Sequence, residues 1–258
     1  MGDGLVVEGE VVDPGGAPNP WQALREATRA RVALGRTGDS LGIAETLALR
    51  LAHAAARDAV HVPVDVAALE AALGERPHVV VHSAAPDRDT YLQRPDLGRR
   101  LDDAGRAALG ECGTGFDLVV VVADGLSSRA VQEHAVPLLD ALTARLDGSL
   151  TVGPVVVAQQ SRVALGDEIG ALLGAELVLV LIGERPGLSA ADSLGAYLTY
   201  RPRVGCPDSA RNCLSNIRPP DGQDYPAAAR TLALLMAEAR KRQLTGVDLK
   251  DDFDALTA

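Results

Sequence analysis

The chain carries four short and almost uninterrupted apolar runs, "HVVVHSA" (78–84), "LVVVVAD" (118–124), "PVVVAQ" (154–159) and "LVLVLIG" (177–183). They lack the alternation of a strand with one face in water, and so predict parallel strands covered on both sides. Helical spacing follows them over 128–146, 162–174 and 189–200. A repeating strand-helix order of this kind predicts an α/β, Rossmann-like fold, a doubly wound and mostly parallel sheet. The stretch "YPAAARTLALLMAEARKRQ" predicts a closing amphipathic helix.

Upstream, the first 18 or so residues lack helical periodicity and two helical patterns follow them. "PWQALREATRARVALG" has Pro20 at a first helical position and Trp21, Leu24 and Ala27 on one face, with Leu34 before Gly35. "SLGIAETLALRLAHAAARDAV" offers Ser40 as an N-cap and Leu41, Ala44, Leu47, Leu51 and Ala55 at helical spacing. The expected organisation is a flexible tail over 1–18, an N-terminal helical segment over 19–75 and the Rossmann-like α/β domain over 76–258.

Composition sharpens this picture mainly by exclusion. With 258 residues, 47% of them hydrophobic, the chain can bury a substantial core. A net charge of -10 leaves no broad basic surface for nucleic acid. No apolar run is long enough to span a bilayer and the first residues lack a basic signal-peptide start, so a cytoplasmic protein is expected. Cys112, Cys206 and Cys213 form no CxxC pair and are read as reduced thiols. Of the 25 basic residues only Lys241 and Lys250 are lysines, a codon bias rather than a functional signal.

In an open parallel sheet, ligands bind beyond the carboxyl ends of the strands. Three polar turns fall there: "ADGLSS" (123–128), "AQQSR" (158–162) and "IGERPG" (182–187). Ser127 or Ser128 also serves simply as a helix cap. Neither GxGxxG nor GxxxxGK[ST] follows a strand, which argues against a dinucleotide or P-loop site. Asp124, Ser127 and His134 hold the atoms of a hydrolytic triad, but Ser127 lacks the GxSxG elbow and His134 lies on the same predicted helix. Cys206 and Cys213 have no histidine nearby to complete a zinc site, and His53, His61, His78 and His82 lie away from the three turns. The architecture therefore suits a ligand while lacking an acid, base, nucleophile or metal set of its own.

The segments "RDTYLQRPDLGRRL" (88–101), "VVADGLSSRAV" (121–131), "SRVALGDEIG" (161–170), "LIGERPGLSAADSLGAYLTYRP" (181–202) and "RNCLSNIRP" (211–219) together resemble the small (light) subunit of ethanolamine ammonia-lyase, in unbroken order over about residues 20–250. The resemblance implies an adenosylcobalamin enzyme of two chain types that converts ethanolamine to acetaldehyde and ammonia. In that family a large TIM-barrel subunit holds the substrate and the small subunit shares the cobalamin. Homolysis of the cobalt-carbon bond starts a radical reaction whose hard chemistry belongs to the cofactor.

Carried over by motif, the small subunit's cobalamin contacts fall on Val163 in "QSRVALGDE", Glu184 in "IGERPG" and Cys213 in "RNCLSN". A carboxylate at Glu184 suits the amide rim of a corrin. The residues alone leave open an ion pair of Glu184 with Arg185 or another arginine, an ordinary first-turn helix role for Val163 and a structural role for Cys213. The DxHxxG motif that supplies a lower-axial histidine in other cobalamin proteins is absent, so the resemblance implies base-on cobalamin. It also implies a hetero-oligomer with the large subunit and leaves open a bacterial microcompartment. The rival readings are a stand-alone Rossmann-like nucleotide-binding enzyme and a purely structural partner chain.

Overall fold

The computed structural model describes residues 21–28, 30–32, 34–146 and 148–250. The expected tail and Pro20 lie outside them. Contacts divide the chain into two compact units, one ending at His53 and one starting at Ala54.

The first unit holds a short helix α1 (Gln22–Ala27), a two-stranded hairpin of β1 (Arg36–Thr37) and β2 (Ser40–Leu41), and the start of α2 (Ile43–His61). The helix expected over the tryptophan-bearing segment is thus confined to α1, which ends where Thr28 turns extended at φ -148° and ψ 146°. Ser40 is not an N-cap. It pairs with Thr37 across a turn carrying Gly38 at φ +63°, and α2 begins only after it. Ile43, Leu47 and Leu51 keep the predicted spacing but are 82%, 57% and 73% exposed, so this stripe finds no cover among the described residues.

In the second unit α3 (Val66–Leu73), β3 (His78–His82), α4 (Arg88–Gln93) and α5 (Asp103–Gly110) come first. They lead to β4 (Leu118–Ala123), α6 (Ser128–Thr143), β5 (Val155–Gln159), α7 (Leu165–Leu172) and β6 (Leu177–Gly183). The chain then adds β7 (Leu194–Tyr200), β8 (Arg211–Ile217) and α8 (Tyr225–Arg242). Asp65, Asp87, Asp102, Ser127 and Asp224 each accept a backbone N–H at the start of a helix, the usual answer to its unpaired donors.

The six-stranded sheet runs β3-β5-β4-β6-β7-β8. The first four strands are parallel, as expected, and the last two antiparallel. Alternation along β4 shows why its sequence is apolar throughout. Leu118, Val120 and Val122 pack with α3, α6 and α8, while Val119, Val121 and Ala123 pack with α5 and α7. Every residue of β4 and β6 is buried.

One expected helix is wrong. The stretch 189–200 contains β7, not a helix. Leu194, Ala196, Leu198 and Tyr200 alternate at period two and place one side in the core formed with α6 and α8. Gly195 falls inside this run, where a helix would be weakened and where Glu184 packs against it. β8 was not foreseen, because a register shift between β7 and β8 disturbs its alternation: Arg211, Leu214 and Ile217 are its buried positions.

Candidate functional site

The three strand-end turns meet. Gly125 sits at φ +58°, and a Cβ there would strike the carbonyl oxygen of Gly183, while a Cβ on Gly183 would strike that of Ser127. Both turns therefore need glycine to approach backbone to backbone, and Leu126 donates its N–H to Gly183 at 2.9 Å. Asp124, 4% exposed, joins the third turn to these two. Its carboxylate accepts the N–H of Gln160 at 2.8 Å and of Ser161 at 2.9 Å, with Arg88 at 3.7 Å. Gln160 is held at φ +51°, a costly conformation for a residue with a side chain, and the surrounding bonds fix it there.

Beside this clamp, Tyr91 lies between two guanidinium groups. Arg162 stands 4.1 Å and Arg88 4.6 Å from its ring centroid. Its hydroxyl donates to the Ser161 carbonyl at 3.1 Å, and burial pushes its pKa up to about 12. It remains a neutral wall.

Between these elements opens a crevice of about 410 Å³, lined by Leu126, Val163, Glu184, Arg185, Tyr197 and Ser215 among others. It brings together Val163, at the end of β5, and Glu184, at the end of β6. Oε2 of Glu184 accepts the Ser193 hydroxyl and the Asn216 N–H, the latter at 3.2 Å. Oε1 takes no hydrogen bond among the described residues. Arg185 makes no ion pair with Glu184 among them either, although the two are neighbours in sequence. The carboxylate is thus oriented by one oxygen and free at the other.

Cys213 stands one step away. It is exposed on β8 opposite Tyr197, which does line the crevice. Desolvation of its sulfur raises the thiol pKa, and Glu184 adds to the rise, so the thiol is neutral near pH 7. Desolvation likewise raises the Tyr197 pKa.

The triad fragments do not assemble. Ser127 Oγ accepts the Ala130 N–H at 3.2 Å and donates to the Ala191 carbonyl at 2.7 Å, the work of a cap. His134 is paired with the Tyr225 hydroxyl at 2.9 Å. None of the five histidines lines the crevice. Sequence patterning missed Tyr91, Tyr197 and Ser215, which come from α4, β7 and β8 and not from the three turns; for Tyr197 the period-two alternation of β7 was the available signal, and β8 has none for Ser215.

Residues 18–250 match the family model described as "Ethanolamine ammonia-lyase light chain (EutC)". The chain is similar to the protein named "Ethanolamine ammonia-lyase small subunit" of Azotobacter vinelandii, at 56% identity over 92% of this chain and 90% of the relative. The proteins of the same name from Pseudomonas fluorescens (53%, covering 95% and 91%) and Ralstonia nicotianae (54%, covering 90% and 88%) are similar to the same degree.

Proposed function

The chain belongs to the ethanolamine ammonia-lyase light chain family, and from that premise we propose that it is the small subunit of an adenosylcobalamin-dependent lyase acting on ethanolamine, with the strand-end crevice holding one edge of the corrin. The reaction releases acetaldehyde and ammonia. The observation that carries the proposal is Glu184: a carboxylate fixed through Oε2 by Ser193 and Asn216, with Oε1 unbonded at a crevice shared with Val163.

The residues present fit the group. A corrin is rimmed with neutral amides, whose N–H groups suit an oriented carboxylate oxygen. Val163 and Leu126 supply apolar surface, and Ser215 and the Tyr197–Cys213 pair supply neutral polar groups. About 410 Å³ takes an edge of such a cofactor and not the whole, so another chain must cover the rest. When bound, adenosylcobalamin supplies radical chemistry. The residues of this chain bind and orient, and Asp124, Tyr91 and the glycine contact keep the lip rigid.

The exposed stripe of Ile43, Leu47 and Leu51 supports a hetero-oligomer with the large subunit. No described helix is long and apolar enough to cross a membrane. We retain the cytoplasm, with or without a microcompartment, as the proposed location.

Glu184 provides the test. Charge-assisted hydrogen bonds are worth about 1.5 to 3 kcal/mol, roughly 10- to 150-fold in affinity. In the assembled enzyme Glu184→Ala is expected to weaken cobalamin binding within that range, and Glu184→Gln less, with turnover at saturating cofactor falling far less. Unchanged affinity in a correctly assembled Glu184→Ala complex removes Glu184 from the site. Abolished turnover at normal affinity assigns it to catalysis instead.

The absence of a DxHxxG motif, and of any histidine at the crevice, supports base-on cobalamin. The paramagnetic resonance spectrum of the cob(II)alamin state is expected to show the same axial nitrogen coupling whether protein histidine carries nitrogen-14 or nitrogen-15. A coupling that changes with the label makes a protein histidine the ligand.

A further inference from the structure

On the α6 side of the sheet, away from the crevice lining, His134 is 5% exposed, and its Nε2 is buried without a hydrogen-bond partner. An imidazole nitrogen left bare inside a protein calls for an explanation. Two carboxylate oxygens face it: Glu133 Oε2 at 3.9 Å and Asp192 Oδ2 at 4.0 Å. All three donor atoms lie within 4.8 Å of one another. We propose that Glu133, His134 and Asp192 form a binding site for one divalent metal ion of the zinc class.

The donor set is one imidazole and two carboxylates, which suits zinc and its neighbours, with water completing the coordination. Each donor is already held from behind. The Tyr225 hydroxyl meets Nδ1 of His134 at 2.9 Å, fixing the ring so that Nε2 is the nitrogen presented. Arg129 binds Glu133 through Oε1 at 2.7 Å, and Arg218 approaches Oδ1 of Asp192 at 3.3 Å. In both carboxylates the second oxygen is the one turned to the histidine. Metal bonds of about 2.1 Å place tetrahedral donors roughly 3.4 Å apart, so each carboxylate oxygen must draw about half an ångström nearer to Nε2, and the two oxygens at most about 1.4 Å nearer to each other. Glu133, whose side chain is 42% exposed, can move that far.

Glu133 borders a hollow of about 460 Å³ with Ala59, Val62, Ser128 and Gln132. Because Asp192 precedes Ser193, the hydroxyl donor to Glu184, a bound ion would tie α6 to the connection that carries the crevice carboxylate.

The test uses the full chain assembled with its large subunit, prepared without cobalamin, stripped with a chelator and equilibrated with Zn²⁺. Zinc content per small chain is measured for the wild type, His134→Gln and Glu133→Gln. The wild type is expected to carry one zinc more than His134→Gln. Losing the Glu133 carboxylate is expected to weaken that zinc by at least the ~10-fold typical of losing an outer-shell partner. Glu133 is exposed, so Glu133→Gln leaves the fold intact and decides the matter alone if His134→Gln fails to assemble. Equal zinc content in all three proteins, or equal affinity in the wild type and Glu133→Gln, overturns the site and leaves His134 as a core residue hydrogen-bonded to Tyr225.

Discussion

Ethanolamine lyase turnover is expected to be absent from the purified chain and to appear when the large subunit and adenosylcobalamin are both added. The expectation follows from how the polar groups of the strand-end turns, of α6 and of the crevice are used. Asp124 is committed to Gln160 and Ser161, Ser127 to Ala130 and Ala191, and His134 to Tyr225. Tyr91 and Tyr197 have raised pKa values, and Cys213 is a neutral thiol with no histidine on it. Among these groups no hydroxyl or thiol has an uncommitted base at hydrogen-bonding distance, and the Ser193 hydroxyl on Glu184 serves to orient that carboxylate. Rates compared for each chain alone, for the two together, and with and without cofactor check this. Turnover by the small chain with cofactor but without its partner would place the whole reaction here and remove the shared-site account.

The second large effect concerns folding. Arg211 and Asp167 are 2% and 1% exposed at their side chains and meet as a two-pronged pair, Nη2 reaching Oδ2 at 2.7 Å. Nη1 also reaches Thr199 Oγ1 at 3.2 Å, and Nη2 the Cys206 carbonyl at 2.8 Å. One guanidinium thereby joins α7, β7 and β8. Removing it strands a buried carboxylate and two further acceptors. Arg211→Ala is expected to cost about 3 to 5 kcal/mol, a large share of the roughly 5 to 15 kcal/mol that holds a domain folded. Replacing both partners, Arg211→Met with Asp167→Leu, should recover most of that loss because no charge is left unpaired. Urea denaturation midpoints of the three proteins check it. A single variant within about 1 kcal/mol of the wild type would show that water reaches Asp167 readily.

The parallel half of the sheet was legible because its strands are covered on both faces and so appear as solid apolar runs from Val79 to Ile182. The antiparallel half was not. β7 mixes Gly195, Tyr197 and Thr199 with its aliphatic positions, and the small residues before it mimic a helix start; β8 is interrupted by its register shift. The site was legible in part for the same reason. Val163 and Glu184 sit on turns that strand prediction alone locates, whereas Cys213 depended on the family resemblance, since nothing local distinguishes an exposed cysteine on an unforeseen strand. What placed Glu184 is longer in range. Ser193 and Asn216 fix it, and Gly195 leaves room beside it. These contacts join three separate segments, and no periodicity within one segment could announce them. The same holds for Asp167 with Arg211 and for Asp124 with Ser161, where the partner is set by the strand order.

The central claim, that this crevice receives an edge of the corrin, is tested most directly by an experimental structure of the assembled enzyme with cobalamin bound. The account predicts a corrin amide nitrogen within hydrogen-bond distance of Glu184 Oε1 and the side of the ring against Val163. A corrin seated wholly on the large subunit, with Glu184 Oε1 facing water or a protein donor, would contradict it.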